Sequence, residues 1–102
     1  MVRQDIDING YWLVIVCYDV QLGEVNSGFT HTDFGQRRSI VGIGKATSVD
    51  QFFNTVIHEL KHVQSHICKY YGVDEDSEDA AYLIGFLAMK VYDVLIRFLC
   101  ND

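Results

Sequence analysis

A chain of 102 residues, 49% of them hydrophobic, can build one domain with a small core and is too short for two. The net charge of −6 and a pI near 5.0 disfavour nucleic acid and anionic membrane surfaces as partners. Cys17, Cys68 and Cys100 are odd in number and lack a paired spacing, which fits free thiols in a reducing compartment.

The first ten residues are polar and acidic and make no signal peptide, which points to the cytoplasm. Residues 11–20 are nearly all apolar and rich in Val, Ile, Tyr and Trp; they read as a central strand buried on both faces. A turn over 21–23 leads to a weaker strand over 24–33, interrupted by Asn26-Ser27-Gly28. A second turn at Phe34-Gly35-Gln36 precedes a strand over 37–44, with Ile40, Val41 and Ile43 as its apolar positions. Short connections predict a three-stranded antiparallel meander. Gly42 and Gly44 predict either an edge position for the last strand or a bulge and exit turn.

Ser48-Val49-Asp50-Gln51 has the capping-box pattern, so a helix is predicted from about Val49 to Tyr71, with Gly72 as its C-cap. An acidic connector over 73–77 leads to a second helix, capped by Asp76 or Ser77 and running to about Leu99. Lys90, Asp93 and Arg97 mark that helix as an amphipathic core helix and not a membrane span. The expected architecture over residues 1–102 is α+β: a small antiparallel three-stranded sheet with two long helices packed on one face.

The first helix carries His58-Glu59-Leu60-Lys61-His62. Two histidines four apart share a helix face and can hold one metal ion, usually zinc, with the intervening Glu free to take a proton. With four His and four Glu in the chain, chance supplies this pattern with a probability of only about 0.006. The apolar stripe Val49, Phe52, Phe53, Val56, Leu60, Val63, Ile67 and Tyr70 sits well over 90° from both histidines, at about 100° per residue. The pair is therefore predicted to face a cleft and not the core.

Catalytic zinc needs a third protein ligand and an open position. Glu78, at the start of the second helix, is the first candidate, and Glu75 is its rival; Asp74, Asp76 and Asp79 stay open. The seam Glu78, Tyr82, Gly85, Met89 is offset from the apolar stripe Ala80, Ile84, Leu87, Val91, Leu95 and Phe98. Gly85 on it would let the second helix approach the first. Tyr82 is a candidate oxyanion donor on the same seam. His66, one turn past His62, reads as lying behind the ligands or in solvent, and His31 as solvated in a polar hairpin.

His58-Glu59-x-x-His62 followed by Glu78-Asp79-Ala80-Ala81-Tyr82 resembles the gluzincin branch of the zincin metallopeptidases, and most of all its very short, minigluzincin-like members. The resemblance spans residues 39–92. It implies a zincin-like fold with one zinc per chain held by His58, His62 and Glu78, and Glu59 as general base in peptide-bond hydrolysis. It also implies a peptide or protein substrate laid along an edge strand, here Ile40, Val41, Gly42 and Ile43. Ser65 stands where the metzincin extension has glycine, which separates the chain from that branch. The alternative expectation is a non-catalytic zinc-binding regulatory or protein-interaction module.

Overall fold

The computed structural model describes residues 1–100, with side chains through Arg97. The elements in order are β1 (Val2–Ile8), β2 (Trp12–Tyr18), β3 (Gly28–Asp33), β4 (Arg38–Ile43), α1 (Val49–Tyr71) and α2 (Glu78–Cys100). The α+β class and the helix pair agree with the sequence reading. The three-stranded antiparallel meander does not: the sheet has four strands in the order β1-β2-β4-β3, with β2 and β4 parallel.

The additional strand is β1. Its Ile6 and Ile8 are buried and alternate with exposed Asp5 and Asp7. The turn to β2 has Asn9 and Gly10 at φ 50° and 78°, and Tyr11 N–H donates to Ile8 O at 3.0 Å. Two consecutive positive φ angles make the hairpin turn whose twist suits antiparallel strands.

β4 lies between β2 and β3, so it has no free edge, and the edge position expected for Ile40–Ile43 is wrong. Apolarity decides the order. Ser39, Val41 and Ile43 are buried on the helix side, whereas β3 alternates half-buried Gly28, Thr30 and Thr32 with exposed Phe29, His31 and Asp33 and buries no residue fully, as an edge strand can. Gly42 marks a crossing and not an edge: a Cβ there would stand 2.2 Å from the Phe29 ring and 2.5 Å from Leu22.

Both helices cover one face of the sheet. α1 packs over β3 and β4, and α2 over β1 and against α1. The core between them holds Trp12, Val14, Val16 and Tyr18 from β2, Phe52, Val56, Leu60 and Val63 from α1, and Leu87, Val91 and Leu95 from α2. Phe98, expected on the same stripe, lies outside the described side chains. The predicted caps hold: Ser48 Oγ accepts from Gln51 N–H at 3.1 Å, and Gly72 at φ 70° donates to Cys68 O. Ser77 Oγ accepts from Ala80 N–H at 3.2 Å at the head of α2. Among the described residues no helix is long and apolar enough to cross a membrane.

Candidate metal site on the edge of α1

The faces of α1 are identified by what they touch. On the sheet side, Thr55, Glu59 and His66 meet Asn26, Thr30 and Thr32. On the α2 side, Gln64 Nε2 donates to Ala80 O at 2.8 Å, and Lys61 Nζ lies 3.5 Å from Glu75 Oε2. His58 and His62 stand on the edge between these faces, both exposed, as their helical phase predicts. Their Nε2 atoms are 3.2 Å apart. Two imidazole nitrogens on one tetrahedral zinc are separated by about 3.3 Å, so the pair fits two positions of such an ion.

Glu59 is buried, only 6% exposed. Thr30 Oγ1 donates to its Oε1 at 2.6 Å, and Glu59 Oε2 lies 4.0 Å from His58 Nε2. One carboxylate oxygen is thus held by β3 while the other faces the histidine edge. Gly28 makes room for this contact: a Cβ there would stand 2.6 Å from Gly42 O and 3.1 Å from Glu59 Cγ.

His66 is half-buried, not free in solvent. Its Nδ1 is 2.7 Å from Thr32 Oγ1, which is 2.8 Å from Ser39 Oγ, which accepts from Trp12 Nε1–H at 3.1 Å. The indole can only donate. Each hydroxyl can donate or accept; the order Ser39 to Thr32 to His66 Nδ1 gives every hydroxyl proton an acceptor when His66 is neutral. Burial, then the neighbouring His62 and Lys69, lowers its pKa below the usual histidine value. His31 is exposed on the opposite face of β3, as expected of a solvated histidine.

The third-ligand seam does not meet the pair. α2 docks at Gln64, about 160° around α1 from His62. Glu78, Tyr82, Gly85 and Met89 all face solvent, and among the described residues nothing lies within 4 Å of a Cβ built on Gly85, so that glycine does not bring α2 close to α1. Among the described residues no three His, Cys, Asp or Glu side chains converge on one point. Tyr82 lines a cavity of about 640 Å³, with Tyr11, Cys68, Tyr71, Leu83 and Phe86, which excludes the histidine edge. Tyr70 packs on Trp12 and Tyr71 on Tyr11.

No family's sequence profile, no curated protein and no solved structure matches this chain. The site therefore rests on its own geometry. Sequence reasoning missed Gly28, Thr30, Thr32 and Ser39; the period-two placement of Thr30 and Thr32 within 28–33 is the signal that puts both on one strand face.

Proposed function

We propose that the chain is a zinc-dependent hydrolase of peptide bonds, with His58 and His62 as metal ligands and Glu59 as general base. The observation that carries this reading is the 3.2 Å separation of the two Nε2 atoms beside a buried, oriented carboxylate. Bound zinc supplies a Lewis acid that lets water attack a carbonyl at neutral pH. Thr30 fixes one Glu59 oxygen, so the proton is taken by the other, Oε2, on the histidine side. Glu59 then returns that proton to the leaving amine.

The substrate strand adds to β3, not to β4. Gly44 N–H donates to Ser27 O across the β3–β4 ladder. Alternation from that pair turns the backbone groups of Thr30 and Thr32 to the free edge, next to the face of α1 that carries the histidines. A peptide pairing there would be positioned by main-chain hydrogen bonds. The cytoplasm is the proposed compartment.

The pair is proposed to bind zinc without Glu78. A non-catalytic zinc-binding module is the second reading; its site would have to be closed by further ligands beside the histidine pair, since structural zinc is held by four. Zinc titration and peptide cleavage with wild type, Glu59→Gln, His62→Ala and Glu78→Ala separate these readings. Expected are loss of zinc binding in His62→Ala, retained affinity in Glu78→Ala, and retained zinc with no cleavage in Glu59→Gln. Loss of affinity in Glu78→Ala would assign it the third position that the zincin resemblance gives it. Zinc binding with no cleavage by the wild type leaves the binding module. No zinc uptake sinks both.

A further inference from the structure

α2 carries two apolar faces, and the fold uses one. Ala80, Leu87, Val91, Val94 and Leu95 are buried against the sheet and α1. On the opposite side Tyr82, Met89, Tyr92 and Ile96 are 74%, 62%, 55% and 37% exposed. With Glu78 and Gly85 they fall at 78, 82, 85, 89, 92 and 96, an uninterrupted alternation of four- and three-residue steps. That spacing is the seam of a two-helix coiled coil. A helix apolar on both sides is ordinarily buried on both sides.

Gly85 lies in the middle of this outer face. Glycine in a helix interior costs about 1 kcal/mol relative to alanine. Among the described residues nothing comes within 4 Å of the position a Cβ would take. No contact among the described residues explains the glycine, whereas a helix crossing the outer face would.

We propose that α2 pairs antiparallel with α2 of a second copy of this chain. Pairing about residue 87 sets Tyr82 against Tyr92, Gly85 against Met89 and Glu78 against Ile96, each in two symmetric layers. Met89 of one copy then fills the space over Gly85 of the other. The antiparallel direction also brings Arg97 of one copy to the level of Glu78 and Asp79 of the other, whereas a parallel pair would stack these like charges on themselves. The four large side chains, removed from water in both copies, give on the order of 1,000 Å², which is the size of a weak, concentration-dependent dimer. This face is separate from the histidine edge of α1.

Sedimentation equilibrium of the full chain, in chelator to remove metal-mediated association, tests the proposal. Expected is a monomer–dimer equilibrium for the wild type, with dissociation shifted at least tenfold by Met89→Lys and likewise by Tyr92→Lys. Both positions are exposed, so circular dichroism should stay unchanged. A wild type that is monomeric at about 0.5 mM, well above the micromolar range of weak specific pairs, overturns the proposal. So does a dimer insensitive to both substitutions. Mixing Gly85→Cys with Met89→Cys chains should give an oxidised cross-linked dimer that neither variant forms at these positions alone; linkage within each variant alone overturns the antiparallel direction.

Discussion

At the scale of single residues, His66 shows how a surface histidine becomes tied to the core. The hydroxyls of Ser39 and Thr32 link the Trp12 indole to His66 Nδ1. Protonating His66 would make Nδ1 a donor and leave one hydroxyl proton of the chain without an acceptor. The folded-state pKa is lowered, chiefly by burial, while the unfolded chain keeps a value near 6.5. The unfolded state therefore binds the proton more tightly, and stability falls as pH drops. The contribution of neutral His66 is fully present above about pH 6.5 and is lost as pH falls from there through the folded-state value. In chelated protein the urea midpoint of wild type should fall more steeply over this range than that of His66→Gln. Equal slopes would mean that the chain does not control His66 protonation. The sequence exposed part of this scale. Helical phase placed His58 and His62 off the core, because it needs only the residues of one helix. It could not show that Glu59 is buried or that His66 is held, because both partners come from a strand roughly thirty residues away in the chain.

At the scale of elements, helix ends were legible and strand order was not. Ser48, Gly72 and Ser77 act on backbone groups within four residues of themselves, so their chemistry can be read locally. Strand order is a competition among segments. The most apolar ones, β2 and β4, take the centre, and β3 is laid outside β4 although it precedes it in the chain. The buried alternation of Ile6 and Ile8 with the Asn9-Gly10 turn was a readable hairpin signal, masked by the acidic residues between. The glycines misdirected the reading of β4 because a glycine marks either an edge or a close crossing. At β3 the crossing governs the site, since α1 approaches over Gly28. Gly28→Ala would drive its methyl against Gly42 O and Glu59 Cγ, at 2.6 and 3.1 Å. The expected cost is about 1–3 kcal/mol, as for other overpacked contacts, with weaker holding of Glu59 by Thr30. Urea denaturation checks the stability. An unchanged midpoint would show that β3 and α1 separate at no cost, and the positioning of Glu59 would then need another source.

At the scale of the whole molecule, the metal question becomes one of linkage between site and fold. Both histidines lie on a single helix whose opposite side is the core of the domain, so the pair is formed only when α1 is formed. The interaxial direction of α2, which decides whether Glu78 reaches the pair, depends on the packing of Ala80, Leu87 and Val91 and on no local motif; this is why the ligand seam was the least readable part of the site. A ligand that binds the folded chain and not the unfolded one adds about 2.7 kcal/mol of stability at a free concentration one hundred times its dissociation constant. For a domain of this length that shift is worth roughly 10 °C or more in melting temperature. Thermal melts of the wild type should therefore rise with added zinc and fall on chelation. The His58→Ala, His62→Ala double variant should melt near the chelated wild type in both buffers, since two exposed side chains contribute little to the core. A zinc-dependent shift that survives the double substitution would locate the metal elsewhere on the chain. A wild type that melts at the same temperature with zinc and with chelator would remove the metal from the account of this fold.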